Sequence, residues 1–77
     1  MLIKMSINYK RLWKMLIDKD MSKADLREKT GIAPSTFSKM SRNEYVSMEV
    51  LVRICDDLKC KLSDIVEVEF QEVGQGE

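Results

Sequence analysis

Three residues that start or end helices, Ser22, Gly31 and Pro34, lie close together and constrain the fold more than any other feature. Ser22 stands three positions before an acidic residue, an arrangement close to a capping box, so a helix is predicted to begin after it. Gly31 is the residue expected at a left-handed helix end, and Pro34 is tolerated at the first position of a helix. The sequence therefore predicts two short helices, residues 23–30 and 34–42, joined by a three-residue turn.

Apolar residues at helical spacing predict further helices on both sides of this pair. A first helix is predicted from Asn8, as its N-cap, to Lys19. Ser47 is predicted to cap a fourth helix, and Ser63 to cap a last single turn. The side chains expected to face inward are Tyr9, Leu12, Trp13, Met15, Leu16, Leu26, Thr30, Ile32, Phe37, Met40, Ile54, Cys55, Leu58 and either Val50 or Leu51.

Both ends of the chain alternate between apolar and polar residues, at 3–7 and 66–70, which is typical of strands. We expect these ends to pair as a two-stranded ribbon, with Lys4 on the same face as Glu67 or Glu69. The predicted fold class is therefore all-α, with a small ribbon added by the N- and C-terminal segments. The predicted single domain, 1–77, comprises an N-terminal strand or arm (1–7), a helical part (8–66, with the two-helix motif at 22–42) and a C-terminal strand with a tail (67–77). The tail is predicted to be frayed at 74–77.

Length and composition exclude many kinds of function. A chain of 77 residues fits one small domain, and it lacks histidine, the commonest general base and metal ligand. Cys55 and Cys60 are too few for a structural zinc site or a disulfide scaffold, so they are expected to be reduced thiols in a cytoplasmic protein. No run approaches the length of about 20 apolar residues that spans a membrane. We therefore expect no enzyme, no metal, no cofactor and no membrane partner.

Charge divides the chain into two opposite halves, although its formal net charge is zero. Residues 1–46 carry ten Lys and Arg against five Asp and Glu, a balance of +5. Residues 47–77 carry three against eight, a balance of −5. This distribution is expected where one face of a protein meets a polyanion, although charge asymmetry is also common among small proteins.

The segment from Ser22 to Arg42 carries the clearest functional signal. Two helices joined by a short turn that contains glycine form the helix-turn-helix arrangement of DNA-binding proteins. The second helix directs outward a small, polar and basic set of side chains, and 34–42 contains no acidic residue. Such a face fits a major groove about 12 Å wide. The alternative interpretation is that it is an ordinary solvent-exposed face of a helical bundle.

The run from Ser22 to Met40, SKADLREKTGIAPSTFSKM, resembles the helix-turn-helix of lambda-repressor-like regulators of the Cro/xenobiotic-response-element type. The resemblance continues through residues 47–58, where the family places its fourth helix, and through 62–65, the usual start of its fifth. It covers about residues 7–66 and implies a five-helix DNA-binding domain whose recognition helix begins at Pro34.

The resemblance also implies which residues contact DNA. The residues at base-contacting positions, or beside them, are Pro34, Ser35, Ser38 and Lys39. The residues at phosphate-contacting positions are Lys23, Arg42 and Asn43. Lysine can donate to guanine, serine hydroxyls are less selective, and proline can offer only an apolar contact such as one to a thymine methyl group.

Three residues depart from the family's pattern. Arg27 stands where a small residue is usual, so its side chain must reach outward or loosen the helix crossing. Ala33 replaces the usual Ser or Thr cap of the recognition helix, which costs about 1 kcal/mol. Ser41 replaces a Glu that commonly pairs with an Arg of the first helix, so Arg11 is expected to be free for other partners, including phosphate.

These observations predict a sequence-specific transcriptional regulator, in particular a repressor, that binds a palindromic operator in double-stranded DNA as a homodimer through recognition helix 34–42. Two recognition helices about 34 Å apart read more base pairs than one. The candidate dimer surfaces are the terminal strands and the exposed apolar residues near the fourth and fifth helices. The alternative function is a protein-binding module on the same fold, an antitoxin or anti-repressor that uses the acidic C-terminal half.

Overall fold

A computed structural model describes the backbone of residues 2–73 and the side chains of residues 5–70. Over this range the chain forms four α-helices, one 3-10 turn and a two-stranded antiparallel ribbon. The strands are β1 (Leu2–Asn8) and β2 (Glu67–Val73), and the helices are α1 (Lys10–Asp18), α2 (Lys23–Thr30), α3 (Pro34–Ser41) and α4 (Met48–Leu58). The 3-10 turn, Leu62–Asp64, lies between α4 and β2.

The predicted caps around α2 and α3 are confirmed. The Ser22 hydroxyl accepts a 3.0 Å hydrogen bond from the backbone N–H of Asp25, and the Asp25 carboxylate accepts one of 3.0 Å from the N–H of Ser22. Gly31 ends α2 with φ of 71°, a left-handed conformation in which a side chain would be strained. Pro34 is the first residue of α3, and the Ser47 hydroxyl caps α4.

Three helix boundaries differ from the prediction by one residue. Asn8 is the last residue of β1, and Tyr9 holds the cap position of α1. The Asn8 side chain nevertheless accepts a 3.1 Å hydrogen bond from the backbone N–H of Lys10, so it satisfies a donor of the first helical turn. The other two are helix ends: α1 ends at Asp18 with Lys19 as its cap, and α3 ends at Ser41 with Arg42 as its cap.

The five-helix count is not confirmed, because the segment after α4 forms only the 3-10 turn Leu62–Asp64 among the described residues. Its cap position is held by Lys61 and not by Ser63. The chain leaves α4 through Lys59, whose φ is 52°, and must enter β2 at Glu67. The few residues between these points leave too little length for another α-helix.

The ribbon confirms the predicted pairing of the two ends, over seven residues of each strand. The register runs from Asn8 opposite Glu67 to Leu2 opposite Val73. One face is polar, because Ser6 and Asn8 both donate side-chain hydrogen bonds to the carboxylate of Glu69. The side-chain placement predicted for Lys4 and the frayed tail predicted at 74–77 lie outside the described residues.

Side chains from all four helices form one buried core. The start of α1 closes it through Tyr9, which is fully buried, and the segment after α4 closes it through Ile65. Of the two alternatives in α4, Leu51 is the buried residue and Val50 is half-buried. The core residues are Tyr9, Leu12, Leu16, Leu26, Ile32, Phe37, Met40, Leu51, Ile54, Leu58 and Ile65.

The two cysteines are unpaired and half-buried. Burial, and then the neighbouring Cys55, raise the pKa of the Cys60 thiol to about 11. Cys60 is therefore protonated at neutral pH and is a poor nucleophile. Among residues 2–73, no helix combines the length and the apolar character that crossing a membrane requires.

Candidate nucleic-acid interface

The helices α2 and α3 pack around a shared set of apolar side chains. Leu26 of α2 and Met40 of α3 are fully buried, as is nearly all of Phe37. The Thr30 hydroxyl donates a 2.8 Å hydrogen bond back to the carbonyl of Leu26, one turn earlier in α2. The inner face of α3 is therefore fixed against α2 and the core, and its other face is left for solvent.

That outer face of α3 contains all four side chains that the resemblance assigns to bases. Phe37 and Met40 face inward, and the residues between them in the helical repeat face outward. Within α3 the face contains one long cation, two small hydroxyl groups and no acidic side chain. The exposed residues are Pro34, Ser35, Ser38 and Lys39.

Lys23, at the first position of α2, contacts both of the neighbouring helices. Its ammonium lies 4.0 Å from the centre of the Trp13 ring of α1, a cation–π arrangement. It also donates a 3.2 Å hydrogen bond to the hydroxyl of Ser41, the last residue of α3. Lys23 is therefore an exposed cation whose position is set by two specific partners.

The other two phosphate-contacting candidates follow α3 directly. Arg42 donates a 2.7 Å hydrogen bond from Nε to the carboxylate of Glu44, and this bond raises the pKa of Arg42 and lowers the pKa of Glu44. A guanidinium has five N–H donors, so others remain for an incoming phosphate. Asn43 has φ of 59°, a left-handed conformation that asparagine tolerates better than most residues.

Arg11, which Ser41 leaves free for other partners, has one in the segment after α4: its Nη1 donates a long, 3.4 Å hydrogen bond to the backbone carbonyl of Ser63. This contact directs Arg11 toward the segment after α4 and away from Ser41, whose hydroxyl is bonded to Lys23 instead.

Three contacts with these candidates were not predicted from the sequence: those of Trp13 and Ser41 with Lys23, and that of Glu44 with Arg42. Each joins residues on different elements or across a turn. One sequence signal was available, since Lys23 is a cation in the first turn of a helix, where the helix dipole disfavours positive charge. A cation at such a position is expected to be stabilised by partners on other elements.

Comparisons with known proteins place this arrangement in a family. A family model described as the Cro/C1-type HTH DNA-binding domain matches residues 11–71. The crystal structure of transcriptional regulator VanUg, Form II, superposes with a TM-score of 0.84 at 48% sequence identity, covering 87% of this chain and 89% of that chain. A search of curated proteins found no significant match.

The residues matched by the family model include the whole of α2, the turn at Gly31 and α3. The matches do not favour the alternative prediction of an antitoxin-like or anti-repressor-like protein-binding module. The chain belongs to the Cro/C1-type helix-turn-helix family of DNA-binding transcriptional regulators.

Proposed function

We propose that this chain represses transcription by binding a palindromic operator as a homodimer, with α3 in the major groove. Lys39 donates to a guanine edge, and the hydroxyls of Ser35 and Ser38 make less selective contacts. Pro34 contributes an apolar contact, such as one to a thymine methyl group. By occupying its operator, the protein blocks transcription.

The observation that carries this proposal is the outer face of α3, which is exposed, small and polar, with one cation and no acidic residue. A helix that only meets solvent usually mixes long acidic and basic side chains. The absence of acidic residues in α3 avoids repulsion of phosphates as the helix enters the groove.

Two cations and a neutral amide at the margins of this face support the same orientation. Lys23 lies at the start of α2, and Arg42 and Asn43 directly follow α3. We propose that these three residues contact backbone phosphates and so fix the register of α3 on the duplex. The balance of +5 over residues 1–46 supplies the wider attraction to DNA.

A homodimer is proposed because α3 has only eight residues and reads only a few base pairs. Two copies placed about 34 Å apart read a palindrome in successive major grooves. We assign the dimer interface to the ribbon and its apolar face, which is defined by Met5, Ile7, Val68 and Phe70.

The apolar face of the ribbon follows from the strand register. Met5 lies opposite Phe70 and Ile7 opposite Val68, so the four side chains share one face. Met5, Val68 and Phe70 are 61%, 58% and 70% exposed. A two-stranded ribbon is marginal in water unless it is packed, and a second copy offers both a matching apolar face and open strand edges, as a two-fold interface requires.

The position of this face suits a DNA-binding dimer. A groove lined by Met5, Ile7, Lys39 and Tyr45 joins the ribbon to the C-terminal part of α3. Docking of a second copy on the ribbon therefore occurs beside the recognition helix.

We further propose that residues 1–77 act as one domain and that the protein works in the cytoplasm, where thiols such as Cys55 and Cys60 stay reduced.

The experiment that tests the function measures binding to the DNA upstream of the protein's own gene at several salt concentrations. A DNA regulator is expected to lose affinity steeply as salt rises, because bound phosphates release counterions. It is also expected to bind this DNA more tightly than a duplex of the same length and scrambled sequence. Undetectable or salt-independent binding, together with a tight protein partner, would contradict the proposal.

A further inference from the structure

Lys23 makes two side-chain contacts, although it is exposed and water alone could solvate its charge. Its ammonium lies 4.0 Å from the centre of the Trp13 ring and 3.2 Å from the Ser41 hydroxyl oxygen. The three residues come from α1, α2 and α3, and Lys23 itself is exposed. The contacts therefore fix the ammonium in a region where the helix dipole gives it no support.

We propose that Trp13 and Ser41 are positioning residues that hold the Lys23 ammonium for a phosphate of the DNA backbone. This inference rests on the proposed function and adds to it the residues that set the geometry of one contact. A lysine ammonium has three N–H donors. One is used by Ser41 and one side of the cation faces the indole ring, so the remaining side is available to a phosphate oxygen.

The Trp13 ring, against which the Lys23 ammonium lies, is itself held in place by two other aromatic rings. The Trp13 ring lies 6.5 Å from the Tyr9 ring and 6.5 Å from the Phe37 ring, measured between ring centres and with tilted planes. Phe37 belongs to the buried side of α3. The position of the Lys23 charge is thereby linked to the position of the recognition helix through a packed aromatic row.

Fixing this charge has a functional consequence. A free lysine side chain loses rotamer freedom when it binds a phosphate, and a side chain already held by two partners loses less. Because phosphate contacts set the register of a recognition helix, a cation fixed relative to α3 also restricts how deeply α3 enters the groove. The contribution of the Lys23 contact to DNA affinity is expected to be the same for every DNA sequence.

The test is a double-mutant cycle on the full chain, read as DNA affinity against salt. The probes are a labelled duplex of the DNA upstream of the gene and a duplex of the same length and mixed sequence. The slope of log K against log salt is negative, and Lys23→Ala is expected to make it less steep by about 0.9 on both duplexes. Lys61→Ala, which removes a cation from the acidic half, is the matched control and is expected to leave the slope nearly unchanged.

Trp13→Leu is expected to weaken binding by roughly two- to fivefold, because it removes the cation–π contact while leaving an apolar side chain. Trp13→Phe keeps an aromatic face and is expected to retain most of the affinity. In the Lys23→Ala background, Trp13→Leu is expected to have no further effect, which is the signature of action through Lys23.

Ser41→Ala offers an independent test at an exposed site, where a folding defect is not expected. It is also expected to weaken binding only when Lys23 is present. Trp13 is the only tryptophan of the chain, so a change in its fluorescence on adding DNA, lost in Lys23→Ala, reports directly on this contact.

Two outcomes overturn the inference and are distinguishable. If Trp13→Leu and Ser41→Ala weaken binding equally with and without Lys23, the two residues act through general packing and the proposed function is unaffected. If the unmodified chain binds neither duplex in a salt-dependent manner, the proposed function fails and this inference fails with it.

Discussion

The hydroxyl of Tyr9 donates a 2.7 Å hydrogen bond to the backbone carbonyl of Glu44. Tyr9 is fully buried at the start of α1, and Glu44 lies in the loop that follows α3. This bond fastens the loop that carries two of the proposed phosphate contacts, Arg42 and Asn43, to the first helix. The position of the loop is therefore set by a side chain from a distant part of the sequence.

Tyr9→Phe is expected to lower the free energy of unfolding by about 1 kcal/mol, because the Glu44 carbonyl loses its partner while the ring stays in the core. Denaturant titration measures this change. Tyr45→Phe, at an exposed tyrosine of the same loop, is the matched control and is expected to have little effect. Equal effects of the two substitutions would show that the Tyr9–Glu44 hydrogen bond adds no more stability than an exposed tyrosine hydroxyl does.

Lys39→Ala is expected to weaken binding to the preferred DNA sequence by about 1–3 kcal/mol and to relax the choice of sequence, because a base contact is lost. Lys23→Ala is expected to weaken binding on all sequences alike. Competition between the upstream DNA and a scrambled duplex separates these patterns. A uniform loss from Lys39→Ala would assign Lys39 to phosphate and not to bases.

Glu44→Gln is expected to strengthen DNA binding. Its hydrogen bond with Arg42 lowers the pKa of the Glu44 carboxyl, so the group is ionised at neutral pH and places a negative charge beside Arg42 and Lys39. Removing that charge frees Arg42 and reduces repulsion of phosphates. The gain in affinity should shrink as salt rises and screens the exposed charges. Glu49→Gln, on the acidic half, is the control, and an equal gain there would contradict a local effect.

Phe70→Ser is expected to shift the chain from dimer to monomer, because Phe70 is the most exposed of the described side chains on the apolar face of the ribbon. Analytical ultracentrifugation measures the change. Ile17→Ser, at a similarly exposed apolar residue of α1, is the matched control. If Ile17→Ser dissociates the dimer and Phe70→Ser does not, the interface lies on the helices.

Asp25→Asn is expected to alter how stability depends on pH. The backbone N–H of Ser22, and then its side chain, lower the pKa of the Asp25 carboxyl below its ordinary value. A lowered folded-state pKa stabilises the native protein above the ordinary value, about 4, and this stabilisation is lost as pH falls through the folded-state pKa. The difference between the original chain and Asp25→Asn should therefore be largest near neutral pH and shrink in acid.

Unfolding followed at several pH values checks this prediction. Glu28→Gln, on the same helix but outside its capping box, is the matched control. A difference for Asp25→Asn that stays constant from neutral pH into acid would show that the carboxylate charge does not contribute to the cap.

The helix ends were predictable because their signals are local. Ser22 and Gly31 act on backbone groups within a few residues, so the sequence around them contains all the information needed. The ribbon was predictable for a related reason, since two alternating segments at opposite ends each lack a partner elsewhere. Whether the segment after α4 could form a further α-helix depended instead on the number of residues between Lys59 and Glu67. A cap signal at Ser63 gives no information about that length.

The contacts around Lys23 were not predictable from the spacing of apolar residues in the sequence. Trp13 and Ser41 meet it only because three helices pack at particular angles, and many packings would satisfy the same apolar spacing. The same holds for Arg11, which lies against Ser63 in the segment after α4. Sequence reasoning identified candidate DNA-contacting residues from the resemblance, while the structure supplied the neighbours that orient them.

The pairing of Leu2 with Val73 bears on the order in which the molecule assembles. Closing a loop of about 70 residues in an unfolded chain is entropically costly, whereas helices form through contacts close in sequence. Once the helical core has folded, Asn8 and Glu67 are already neighbours, and the strands can pair outward from them one residue at a time. A newly made chain would thus complete its recognition helix before it gains the ribbon by which, on the proposed arrangement, it finds a second copy.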